Sequence, residues 1–258
     1  MLARCRVDRP PLAVWTLPHA LHEISGLART AGGLLLAHGD EKGRIFALDE
    51  RTGEVKRTFE LEGLPRDDFE GIAVEGDTVY LMTSQGRIYV TSEGRDGGRV
   101  PYRVIETGLG RLCELEGLAL DPRTRVLLLP CKVPAGEDRG GDKKEDALIF
   151  CWSLGTNALA RPDRIVVERL AIKGLLGSGK FRQTGIEVDP GSGHLLSLSS
   201  NHEGLIEFSP DGKLLAAASL MPARHRQPEG LTLSADRLFI SDEGGPGEGT
   251  ITVYGCGP

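Results

Sequence analysis

The chain has 258 residues, 31 of them basic and 37 acidic, for a formal net charge of -6. That balance gives no support to a nucleic-acid backbone binder, and no apolar run approaches the roughly 18 residues of a membrane-spanning helix. Glycine is the informative excess: 35 residues, roughly twice the usual share, scattered at short intervals as turns between many short strands would require.

In chain order, residues 1–11 carry three arginines but lead into no apolar stretch of secretory length. They read as an N-terminal extension of a cytoplasmic protein, or of a periplasmic or extracellular one whose leader lies outside this sequence. Ala13-Val14-Trp15-Thr16-Leu17 reads as a short strand. Five related segments follow: Glu23-Ile24-Ser25-Gly26-Leu27, Asp68-Phe69-Glu70-Gly71-Ile72, Glu114-Leu115-Glu116-Gly117-Leu118, Arg182-Gln183-Thr184-Gly185-Ile186 and Gln227-Pro228-Glu229-Gly230-Leu231. Their glycines lie 45, 46, 68 and 45 residues apart.

Each segment precedes a short apolar strand, such as residues 34–37, 79–82, 126–129, 195–198 and 238–240, then a polar turn and an alternating strand. A fourth strand is expected in the first four units, at 55–60, 103–107, 164–170 and 214–219. Four antiparallel strands at a period of about 45 residues predict an all-β, five-bladed β-propeller over residues 12–258. The fifth unit stops after three strands at Tyr254, and the strand at 13–17 is the expected donor of its fourth. Such closure leaves no open sheet edge, so a monomer is expected.

The long interval of 68 residues contains a charged, glycine-bearing insertion in blade three at 134–146, a candidate lid or partner loop. Longer connections are expected at 155–163 and 174–179. The five cysteines are odd in number and lack metal-ligand spacing. Buried free thiols are expected, with Cys5 and Cys256 near the two ends and able to meet.

The inner strand of each blade lines a propeller's channel, so the residues preceding the five glycines, Ser25, Glu70, Glu116, Thr184 and Glu229, form a ring. Glu23, Asp68, Glu114, Arg182 and Gln227 form a second. The turns after the second strands add Asp40-Glu41, Asn201-His202 and Asp242-Glu243, while blade two offers Thr83-Ser84-Gln85. Converging carboxylates raise one another's pKa unless a cation compensates them. A hard, oxygen-ligated ion, calcium ahead of magnesium, is the economical answer, with Glu70, Glu116, Glu229, Glu23, Asp40, Asn201 and Asp242 as ligands. Two alternatives stay open: carboxylates bracing turn amides, and compensation by water and Arg182. His202 and His225 approach the same rim and are the candidates for activating water; His38 and His194 read as strand or turn residues.

The order and spacing of Glu23-Ile24-Ser25-Gly26-Leu27, Gly39-Asp40-Glu41, Asp68-Phe69-Glu70-Gly71-Ile72, Glu114-Leu115-Glu116-Gly117-Leu118, Pro228-Glu229-Gly230-Leu231 and Ser241-Asp242-Glu243 resemble the SdiA-regulated family of bacterial propeller proteins. The resemblance covers roughly residues 12–255 and implies a calcium-binding propeller without a well-established reaction. The motifs are more distantly similar to phytase-like esterase and calcium-dependent lactonase propellers. Three functions are therefore weighed. The first is a metal-binding propeller that recognises a small ligand or partner at its channel mouth. The second is a calcium-dependent hydrolase of a lactone or phosphate ester, with His202 or His225 assisting water. The third is a protein-interaction scaffold built on the blade-three insertion.

Overall fold

The computed structural model describes residues 1–135, 146–178, 180–200 and 204–257. Strands in the middle of a blade are buried on both faces, and the sequence supplies continuous apolar runs for them: Leu35, Leu36 and Ala37, then Ile45, Ala47 and Leu48, are wholly enclosed. Outer strands meet solvent on one side, and Val55–Leu61 accordingly alternates between enclosed and accessible positions.

Five antiparallel blades result. Blade one runs Ile24–Arg29, Leu34–Gly39, Arg44–Asp49 and Val55–Leu61, with Gly98–Val100 added in parallel at its outer edge. Blade two comprises Phe69–Glu75, Thr78–Thr83, Arg87–Ser92 and Arg103–Glu106. In blade three the inner strand is split into Cys113–Leu115 and Ala119–Asp121, both paired to Val126–Pro134, followed by Ala147–Ser153 and Ala158–Val167. Blade four is Gln183–Val188, Leu195–Ser199, Gly204–Phe208 and Leu214–Ser219. Blade five is Pro228–Leu233, Arg237–Asp242 and Thr250–Gly255, completed by Ala13–Thr16 from the other end of the chain.

The closing pair runs from Ala13 opposite Val253 to Thr16 opposite Thr250, as the missing fourth strand of the fifth unit predicts. Just beyond it, Cys5 and Cys256 form a disulfide, and a second joins Cys113 to Cys131. The expectation of free thiols therefore holds only for buried Cys151. Cys113 and Cys131 face each other across paired strands, a proximity invisible in their spacing. Residues before the closing strand are also part of the packing: Leu2, Cys5 and Val7 join a core cluster with Leu198, Leu231 and Tyr254.

Two departures fall in blade three's outer region. Its fourth strand occupies Ala158–Val167 rather than 164–170, and a helix, Arg169–Leu176, leads to blade four. The helix ends on Gly177 in the left-handed conformation, the usual stop for a helix. The expected insertion lies mostly outside the described residues.

At the centre, the inner strands of neighbouring blades touch through the repeated glycines. A methyl at Gly71 would lie 2.7 Å from the Leu118 nitrogen, and one at Gly117 would lie 2.8 Å from the Gly185 α-carbon. No side chain fits there, and only about 10 Å³ of space remains between the strands. The glycine ring thus forms a floor, and whatever stands one residue before it faces the mouth above.

Candidate functional site at the channel mouth

The floor explains how the ring of polar residues is presented. In four blades the pairing between first and second strands slips by one residue across Ser25, Glu70, Thr184 and Glu229 respectively. Each is the extra residue of a β-bulge, a device that re-aims a side chain out of the ordinary alternation. Blade three reaches the same end differently: Glu116 sits in the gap between the two halves of its inner strand, ahead of Gly117 with φ +83°.

Glu116 and Glu229 are buried, and one carboxyl oxygen of each, Oε2, has no hydrogen-bond partner. Burial, then the charges of Glu116 and Asp68, push the half-buried Glu70 carboxyl up to about 10. Burial and Glu116 push Glu229 up to about 9. Burial also raises Glu116, to about 7, against the opposing pull of a lysine. That lysine is Lys132, whose Nζ donates to Glu116 Oε1 at 2.5 Å. Burial works against its charge, but Glu116, Glu229 and Glu70 together hold it above the usual lysine range.

Lys132 replaces Arg182 as the internal counter-charge; Arg182 is exposed. The signal for Lys132 was present in the repeat. The residue following the innermost pair on each second strand is Asp40, Ser84, Lys132, Ser200 and Glu243. Blade three's apolar run at 126–129 suggests a strand ending there, whereas it continues to Pro134 and carries Lys132 to the mouth.

Around this core the mouth is acidic. Burial raises Glu243, with Asp40 and Glu23 adding to the effect, and burial with Glu23 raises Asp40. Gln227 donates to Glu243, and Ser84 donates to Asp68 at 2.5 Å. Beside the axis, His22, exposed Glu23, half-buried Asp40 and Phe46 line a cavity of about 200 Å³ together with Glu41 and Arg44, whose charges are met by Lys42 and Glu60. Thr184 turns its hydroxyl to the Pro228 carbonyl at 2.8 Å, bracing blade four to blade five.

The remaining candidates divide. His225 is fully enclosed; its Nδ1 donates to Asp242 Oδ2 at 2.8 Å, and its Nε2 lies 2.7 Å from the Tyr254 hydroxyl. Asp242 is thereby held from behind, and its Oδ1 is buried without a partner. Asn201 and His202 lie outside the described residues. His38, read as a strand or turn residue, lies within the strand Leu34–Gly39, with Nδ1 donating to the Gly39 carbonyl at 3.0 Å and Nε2 unpartnered. Burial brings that imidazole down to about 4.

The calcium expectation can be tested against this arrangement. Among the described residues no three His, Cys, Asp or Glu side chains are grouped as a ligand set for a metal ion. Lys132 already neutralises one of the converging carboxyls through its bond to Glu116, and a divalent ion among the described donors would have to share them with that ammonium.

No family profile matches the sequence, and no curated protein matches it. Solved structures do. A glutaminyl cyclase from Myxococcus xanthus superposes with a TM-score of 0.65 at 13% identity, over 96% of each chain. A luciferin-regenerating enzyme gives 0.59 at 10% identity, over 96% of this chain and 98% of the other. A PQQ-bound aldose sugar dehydrogenase from Streptomyces coelicolor gives 0.54 at 15% identity, over 95% and 99%. The chain shares the β-propeller fold with these enzymes. At such identities the likeness extends to the fold alone. Among the described residues no helix is long and apolar enough to cross a membrane.

Proposed function

We propose that this propeller recognises a small, positively charged ligand at the mouth of its central channel. The observation that carries the reading is the accumulation of Glu23, Asp40, Glu70, Glu116, Glu229 and Glu243 at one mouth around the ammonium of Lys132, with the carboxyl pKa values of Asp40, Glu70, Glu116, Glu229 and Glu243 driven upward. A mouth in that state gains free energy when a further cation arrives, because incoming positive charge relieves the repulsion that now holds protons on the carboxyls. The cavity of about 200 Å³ beside the axis has room for an ammonium group and a short apolar body against Phe46.

An organic cation suits this site better than a bare divalent ion. Its charge is spread over several N–H donors, which match separate carboxyl oxygens and do not require three ligands to collapse onto one centre. The hydrolytic reading depends on His202, outside the described residues, and on His225, whose nitrogens face Asp242 and Tyr254. The scaffold reading draws on Leu170 and Leu175, exposed on the helix between blades three and four. The two disulfides support residence in an oxidising compartment rather than the cytoplasm.

Titration calorimetry with spermidine, with calcium chloride and with a neutral sugar in parallel tests the proposal. Saturable spermidine binding that weakens about tenfold or more in Asp40→Asn is the expected result. Binding of the sugar alone, or of no cation, defeats it. Saturable calcium binding alone returns the metal reading taken from the sequence.

A further inference from the structure

We infer that the Lys132 ammonium is the protein's own channel cation, occupying the place that a divalent metal ion would take among the converging carboxyls. Three independent features meet at this residue. Its Nζ is bonded to Glu116 Oε1 at 2.5 Å. Glu116, Glu229 and Glu70, from three different blades, each stabilise its charge. And Glu116 and Glu229, 4% and 6% exposed, each keep a buried carboxyl oxygen without a partner. Such oxygens mark a site with more donor capacity than one ammonium consumes.

The physical consequence is exclusion. A calcium ion entering between these carboxyls must lie a few ångströms from the Lys132 ammonium where it now sits, and like charges at that range in a partly desolvated site repel. To use Glu116 Oε1 it would also have to displace the half-buried Lys132 ammonium from its bond. Lys132 stands on the strand Val126–Pro134, and the Cys113–Cys131 disulfide ties the neighbouring residue to the strand that leads into Glu116, so the backbone that carries the ammonium is anchored beside its partner. The counter-charge is covalently part of the chain, so chelators cannot remove it and ion supply cannot regulate it.

Removing the ammonium while keeping the aliphatic stem, as in Lys132→Met, leaves several buried or half-buried carboxyls without compensation. That set is what a hard cation with oxygen ligands takes. The inference therefore predicts a gain of function: wild type shows no saturable calcium binding, and its melting temperature is the same in EDTA and in calcium. Lys132→Met acquires calcium binding at least about tenfold tighter than any residual wild-type signal, with a calcium-dependent rise in melting temperature. Lys132→Arg, which keeps the charge, stays calcium-blind.

Saturable, near-stoichiometric calcium binding by wild type overturns the inference without need of any variant. So does a folded Lys132→Met that binds none. If Lys132→Met folds only with calcium present, the rescue supports the replacement; if calcium fails to rescue it, the ammonium and the ion are not interchangeable and the idea falls. The outcome is separable from the ligand reading above, since spermidine binding in the outer cavity is measured on wild type and through Asp40→Asn.

Discussion

Blade three and the other four blades build the same mouth by different means. Where blades one, two, four and five slip one residue of pairing to aim a side chain inward, blade three breaks its inner strand, turns through a left-handed Gly117 and carries its second strand far enough to deliver Lys132. Four near-identical bulges present two hydroxyls and two carboxyls; the irregular blade adds a carboxyl and the ammonium that compensates it. The lesson is that a repeat can set the ring's radius and height, while the feature that decides its electrostatics enters where the repeat is broken.

The sharpest way to break this comparison is through the two disulfides, one local to blade three and one closing the whole ring. Cys5 and Cys256 are separated by 251 residues, and Cys113 and Cys131 by 18. Chain-entropy scaling with loop length then gives about 5 kcal/mol for the first and about 3 kcal/mol for the second. Guanidinium unfolding of Cys5→Ser/Cys256→Ser and Cys113→Ser/Cys131→Ser should preserve that order; a larger loss from the local pair would mean that blade three, not ring closure, limits stability.

Gly117 separates conformation from crowding. Gly117→Ala combines φ +83° with a methyl 2.8 Å from the Gly185 α-carbon, and a loss of about 3 kcal/mol is expected. Gly63→Ala has a similar φ of +77° but open space around it, and should cost about 1 kcal/mol. Equal losses in chemical denaturation would show that the inner strands do not press together as tightly as the glycine ring implies.

The carboxyl cluster makes a smaller, pH-dependent contribution. Glu116, Glu229 and Glu70 have folded-state values near 7, 9 and 10 against an ordinary 4.5, so the native state holds protons that the unfolded chain releases. Their contribution is complete below about pH 4.5 and is lost as pH rises through those folded values. Melting temperature should therefore fall from mildly acidic to alkaline pH, and Glu229→Gln, which imitates the protonated form, should flatten the decline and melt above wild type near pH 9. An unchanged slope in that variant would place the pH sensitivity elsewhere.

Smallest of all is Arg182→Ala. Its side chain is exposed and Lys132 supplies the internal charge, so stability should move by less than about 0.5 kcal/mol. A markedly larger loss would restore Arg182 as the compensating cation.

The same contrast describes what was legible beforehand. Glycines recurring at 45 and 46 residues, each followed by an apolar run and an alternating run, specify blades because the side-chain period and turn chemistry of a strand are local properties. The missing fourth strand of the last unit and the spare strand at 13–17 are a matching excess and deficit, so ring closure was legible too. Glu70, Glu116 and Glu229 were recognisable as a converging set for the same reason. Lys132 escaped because the repeat there is obscured: Pro130 and Cys131 interrupt the apolar pattern, and the strand's continuation depends on its partners rather than its own residues. The Cys113–Cys131 pairing and the enclosure of His225 between Asp242 and Tyr254 depend likewise on neighbours far along the chain.

By itself, then, the sequence determined the number of blades, the closing strand and the acidic ring, because periodicity encodes anything that a blade repeats within its own 45 residues or so. Only the tertiary structure decided which cation answers the carboxyls, which cysteines pair and which histidines are sealed inside. Those outcomes depend on distances between residues of different strands and blades, and a linear pattern holds no measure of them.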